Sequence, residues 1–431
     1  MGGLSERPEI WAGAECAYLK VDGVIRDQLA MTGHDRRLSD IDRLVRLGAN
    51  AVRVPILWGR SRSAEATDWA WAGRRIERLA ERDVKPVVGL LHHGYGPPGS
   101  DPLAPDWPAA FGAFAAEVAR RFPSVTDFLP LNEPLTTARF GALYGWWPPY
   151  GRDHLLLGRL LVAESLAISL AAAAIRAATP SARIIVNEDI GRTFGTADCR
   201  PVVEFDNERR WLTFDLACGL VDRSHALWTY LATSREQIRR LDRLRDAPVA
   251  PEVLGIDHYI TSDRYLDHRL SRYPEACHGG DGRLRYADVE LVRVRDYAVD
   301  GFRRSLAETW RRYGRPMALT EVALAGEPHD QVAWWNEAWA AASGARSALL
   351  PVVAVNAWSV FGSFGWSDLL RDNADGYEPG CYDVSGGRPR PTELAAAVAA
   401  SARGLPPDPR PGWWRTDARS LYPVSRRITA A

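Results

Sequence analysis

A closed (β/α)8 barrel is the fold class this sequence predicts, and three observations predict it. Eight short apolar runs alternate with stretches of helical periodicity along most of the chain. The runs are rich in Val, Ile, Leu and Ala without strict alternation, as parallel strands buried on both faces require. No GxGxxG or phosphate-loop motif follows the first run, which argues against the alternative of a doubly wound open sheet. A length of 431 residues suits one barrel with long loops.

The predicted strands are 10–15, 51–57, 85–92, 128–132, 183–188, 253–259, 317–321 and 352–358. Helical patterns cover 39–47, 73–82, 109–121, 155–178, 207–221, 302–313, 331–342 and 392–403. The first of these opens on Ser39 as a capping residue and stops at Gly48. Two stretches break the repeat. Residues 262–297, rich in Arg, Asp, Tyr and Gly, read as a long loop on the catalytic rim, a candidate lid. Residues 405–431, rich in Pro and Arg around Trp413 and Trp414, read as a tail, either packed on the barrel or linking onward. The expected organisation is one domain over 1–404 followed by that tail.

Composition narrows the function. The formal net charge is +0, so no global field draws the chain to nucleic acid or to an anionic membrane. Its apolar stretch 155–178 is interrupted by Arg159, Glu164 and Arg176, which predicts a packed helix rather than a membrane span. The five cysteines are scattered and form no CxxC pair, which argues against a zinc site or a disulfide framework. Free thiols in a reducing cytoplasm are the expectation, and the first residues carry no signal-peptide pattern. The sequence carries no signal for an oligomeric state.

Active sites of such barrels form where the strands end. Glu133 ends the fourth strand in Leu131-Asn132-Glu133-Pro134, and Glu321 ends the seventh in Thr320-Glu321-Val322. Pro134 marks the strand's end and places Glu133 at the rim. Ends of apolar strands are poor places for an idle charge. Strands four and seven face each other across an eight-strand barrel, and glycoside hydrolysis needs two carboxyls flanking one bond. Arg53 lies inside the apolar run Ala51-Val52-Arg53-Val54 and needs a carboxylate partner. His92 and His93 end the third strand, and a neutral imidazole there can bond sugar hydroxyls. Tyr259, with Asp257, ends the sixth strand and can donate its phenolic proton to a nucleophile. Trp358 and Trp366 follow the eighth, where one can stack beneath a pyranose. Glu15 and Glu188 end the first and fifth strands as further acceptors for hydroxyl groups.

Taken together these motifs resemble glycoside hydrolase family 1, the β-glucosidase-type barrels. The likeness rests on Trp11-Ala12-Gly13-Ala14, Arg53 with Trp58, Gly89-Leu90-Leu91-His92, Asn132-Glu133-Pro134, Gly255-Ile256-Asp257-His258-Tyr259, Leu319-Thr320-Glu321 and the segment from Ala357 to Trp366. It implies a retaining, exo-acting double displacement, with Glu321 as nucleophile, Glu133 as acid then base, and Asn132 bonding the sugar 2-hydroxyl. Arg53 and Tyr259 would hold Glu321 as a carboxylate. It implies a carbohydrate or glycoside substrate and no metal or organic cofactor.

The chain departs from that pattern at three places. The family's early Gln falls near Leu19, its late Glu on Gly365, and its Asn before Tyr-Tyr on Asp257. The first two read the outer hydroxyls of glucose, so a deoxy or otherwise modified sugar is expected. The chain also resembles the barrel half of family-1-like proteins fused to a dehydrorhamnose-reductase-like domain, which implies the same. Two alternatives use the same residues: a transglycosidase of sugar or natural-product biosynthesis, and a sugar-binding barrel without catalysis.

Overall fold

The computed structural model describes residues 7–61, 69–371, 376–417 and 419–422. Eight parallel strands close into a barrel: β1 (Glu9–Gly13), β2 (Ala51–Pro55), β3 (Lys85–His92), β4 (Asp127–Asn132), β5 (Arg183–Asp189), β6 (Val253–Asp257), β7 (Met317–Val322) and β8 (Val352–Ala357). Sequence neighbours pair in order, and β8 closes the ring on β1. This is the predicted (β/α)8 barrel, with every predicted strand present. Glu15, Tyr259 and Trp358 lie just beyond the strands that were expected to contain them.

The lower interior is filled rather than hollow. One side chain from each strand meets there: Trp11, Ala51, Val87, Leu129, Ile185, Val253, Ala318 and Ala354. Trp11 supplies the bulk and three alanines make room for it, as filling a small barrel demands. This plug leaves the polar residues of the strand ends together at the upper mouth. Register shifts occur near those ends, between Phe128 and Asn132 on β4 and between Leu319 and Glu321 on β7. Such irregularities re-aim the side chains that follow them.

The helical layer follows the expected order with three corrections. The stretch 207–221 is two helices, Arg200–Arg209 and Leu212–Ala217, separated at Arg210 and Trp211. An additional helix, Arg235–Asp246, follows Ser234, whose hydroxyl accepts from the Gln237 amide. Ser39 does not cap its helix; its hydroxyl accepts from Arg43 instead.

The stretch 262–297 is not a bare loop. Its strands Arg264–Asp267, His278–Gly280 and Arg285–Glu290 join Thr193–Gly195 in a four-stranded sheet beyond the ends of β5 and β6. Part of the tail lies against the outer layer. Trp414 is buried edge-on to Trp334 and donates to Glu337. Arg419 donates to the carbonyls of Val292, Val294 and Tyr297 beside the rim sheet. His154–Ala178 is, among the described residues, the one helix long and apolar enough to cross a membrane. It is mostly buried here and packs on Trp107–Arg121 as a core helix.

Candidate active site

Arg53 organises the mouth from β2. Its Nη1 donates to Glu321 Oε1 at 3.1 Å and to the Thr320 carbonyl at 3.1 Å, and its Nη2 to Asn132 Oδ1 at 2.9 Å. The guanidinium lies 4.2 Å from the centre of the Trp358 ring, a cation–π contact on its other face. That ring fits because residue 13 is glycine: a Cβ there would meet Trp358 at 2.6 Å. Tyr259 donates to the second oxygen of Glu321 at 2.5 Å. Glu321 therefore has a donor on each oxygen, the arrangement that favours a carboxylate.

Glu133 stands opposite, in a different setting. It is buried, and Oε1 has no hydrogen-bond partner. Burial pushes its carboxyl well above the usual range, and the negative neighbours Asp257, Glu321, Glu188 and Asp189 add to that. The two carboxyls at the mouth thus sit in different settings, Glu133 buried towards its proton and Glu321 ion-paired with Arg53. Glu133 sits at φ +45°, in the left-handed region. Pro134 disfavours the right-handed alternative for the residue before it, and such strain is tolerated where the surroundings impose it.

A polar floor links the two sides. Asn187 donates to Asn132 Oδ1 at 2.6 Å and to Asp257 Oδ2 at 2.5 Å, while Thr320 donates to Asp257 Oδ1 at 2.6 Å. Asn356 donates to the Thr320 carbonyl at 2.6 Å. Gly255 makes room for this network, because a Cβ there would lie 2.6 Å from both Asn187 and Thr320. Asn132 Nδ2 is buried without a partner.

His92 and Glu15 complete the third and first strand ends. His92 Nε2 lies 3.4 Å from Glu15 Oε1 and makes no hydrogen bond, and its ring stacks on Trp358. Burial pushes the His92 imidazole down to about 3, so it is neutral. Burial likewise lowers His93, which contacts Thr137 Oγ1 at 2.9 Å and stands 3.9 Å from Glu133. Trp366 is half-buried, beside His93 and Trp147.

Glu188 corrects the expectation of a hydroxyl acceptor. Its oxygens take the backbone N–H groups of Leu135 and Thr136 and the hydroxyls of Thr136 and Thr213. It caps the helix Pro134–Ala138, directly behind Glu133, and holds that backbone in place. Asp257 also points into the floor rather than outward. Sequence reasoning passed over Asn187, Thr320 and Asn356. A polar residue inside each apolar run was the available signal.

Among the described residues, Glu133, Asp257 and Glu321 are the acidic set with ligand oxygens all within 4.8 Å of one another. Glu321 and Asp257 are already engaged by protein donors, which is poor preparation for a metal ion.

The sequence matches no family model and no curated protein. By structure the chain is similar to the family 1 β-glucosidase of Thermotoga maritima, at a TM-score of 0.71 and 16% identity over 92% of this chain and 98% of that one. The chain has the fold of the family 1 β-glucosidases. The Thermotoga maritima β-glucosidase in complex with deoxynojirimycin gives the same TM-score, identity and coverage. Its complex with cyclophellitol gives a TM-score of 0.70 at 16% identity, again over 92% and 98%.

On this β-glucosidase fold the stability of the mouth depends on Arg53. Arg53→Met should destabilise the protein by about 3–5 kcal/mol at neutral pH, since it strips a buried carboxylate of its cation. Thermal melts check this.

Proposed function

We propose that this protein is a retaining exo-β-glycosidase acting on a deoxy or otherwise modified sugar. The observation that carries the mechanism is the spacing of the carboxyls. Glu133 and Glu321 oxygens come within 4.8 Å, which suits direct attack by one carboxylate, where inverting enzymes leave about 6.5–9.5 Å for a water. In the first step Glu321 forms an ester with the anomeric carbon as Glu133 protonates the departing oxygen. In the second, Glu133 takes a proton from water as that water displaces Glu321. Asn132 Nδ2, unpartnered in the floor, suits the 2-hydroxyl. Trp358 and neutral His92 suit the ring and its next hydroxyl.

The sugar reading is supported by an apolar cluster whose Trp147 and Trp366 pack against His93. Leu19 is buried in a cluster with Ala17, Val21, Trp147 and Leu370, against half-buried Trp366. Gly365, at φ +69°, offers no side chain. A hydroxyl pressed against this surface would lose its water and find no partner, which costs about 1–3 kcal/mol. A methyl or a bare CH₂ would not. Five unpaired cysteines support a reducing, cytoplasmic setting.

A panel of nitrophenyl β-glycosides tests both parts. A 6-deoxy glycoside should exceed the parent glucoside in kcat/KM by about tenfold or more, while a 2-deoxy glycoside, which leaves Asn132 unpaired, should not. Equal or better turnover of the glucoside would remove the sugar assignment, and no turnover of any glycoside would remove the enzyme assignment.

A further inference from the structure

Three buried carboxyls meet at the mouth, and Arg53 hydrogen-bonds Glu321 among them. Asp257 is served by neutral donors instead, Asn187 on one oxygen and Thr320 on the other. A carboxyl that accepts on both oxygens is acting as the ionised form. Glu133 stands beside Asp257: the two carboxyls offer oxygens within 4.8 Å of each other, and Glu133 Oε1 has no donor. Two buried carboxyls this close favour a proton on one of them, and Asp257 already faces a donor on each oxygen while Glu133 Oε1 faces none. The proton therefore belongs to Glu133.

We propose that Asp257 is a positioning residue that keeps the acid's proton on Glu133 in the resting site. The proposal rests on Glu133 being the acid/base of the glycosidase described above. The similar family carries Asn at this position, which is neutral and lacks the charge to do this. The other groups around the pair act in known directions. Glu321 on β7 and Glu188 and Asp189 on β5 add negative charge towards Glu133. Burial, and then Glu321, push the Asp257 carboxyl upward as well, and Arg53 on β2 and the hydroxyl of Thr320 oppose them. His93 beyond β3 is neutral through burial, and the Tyr259 phenol beyond β6 holds its proton well above its ordinary range, through burial first and Glu321 next.

The proton balance runs through both steps. Glu133 releases its proton to the departing oxygen as the glycosidic bond breaks. Glu133 and Asp257 are then both carboxylates in contact, and their repulsion favours recovery of a proton from the incoming water. Asp257 thus makes Glu133 a stronger base in the second step and extends the range over which it starts protonated.

The test is the pH dependence of kcat/KM in D257N on a glycoside that the wild type hydrolyses. Removing the negative charge weakens the hold of Glu133 on its proton, so the alkaline limb should move to lower pH by about one unit or more. D257S, smaller and equally uncharged, gives a second folded variant if D257N does not fold. An alkaline limb left in place in a folded variant overturns the proposal. Infrared titration of the protonated-carboxyl band, assigned by its loss in E133Q, reads the same shift without substrate. A wild type that turns over no glycoside overturns the glycosidase reading, while the infrared shift still decides the role of Asp257.

Discussion

Glu321→Gly is expected to cut hydrolysis of aryl β-glycosides by about 10⁴-fold or more. The covalent path needs a carboxylate at the anomeric carbon, and no neighbour can take its place. Asp257 is tied to Asn187 and Thr320, and Glu188 to the helix that starts at Pro134. The glycine leaves a space beneath the sugar. Azide entering it should restore turnover and give the α-glycosyl azide, and an α-glycosyl fluoride should become a donor. Product stereochemistry by NMR reads this directly. Wild-type hydrolysis in the variant would sink the assignment.

Glu133→Ala should separate substrates by leaving group. Glycosides of poorly acidic alcohols need the proton and should lose about 10²–10⁴-fold. Dinitrophenyl glycosides do not, so their first step should survive while the glycosyl-enzyme accumulates, visible as a burst of phenolate. Azide should now give the β-glycosyl azide, because it replaces the base-activated water on the opposite face. The alkaline limb of the pH profile should disappear with the side chain. Exchange of the two azide products between variants would show that the roles are reversed.

The barrel was legible because parallel strands buried on both faces write themselves as unbroken apolar runs. The catalytic pair and Arg53 were legible for the complementary reason: each is a charge set in such a run. The rim sheet was harder to see. In Arg285–Glu290 only Ala287 and Val289 turn inward, a period-two signal spread over few residues. The helix Arg235–Asp246 hides its Ile238, Leu241 and Leu244 among charges, although their spacing and Ser234 were there to be read. Glu188 shows a different limit. A strand-end acid looks the same whether it faces a ligand or a helix terminus, and only packing decides. Leu19 and Gly365 were read as missing contacts, and the fold makes the first part of a buried apolar cluster.

The closing ladder of the barrel joins Glu9 to Ala354. The ring therefore cannot complete until residues 352–357 exist, and so nonlocal a pairing makes for slow folding. A chain made from its N-terminus presents Arg53 before Glu133, then Asp257, then Glu321. Arg53 is in place before any of these three acids arrives, so Glu321, the last of them, enters the half-built mouth to find its counter-charge waiting.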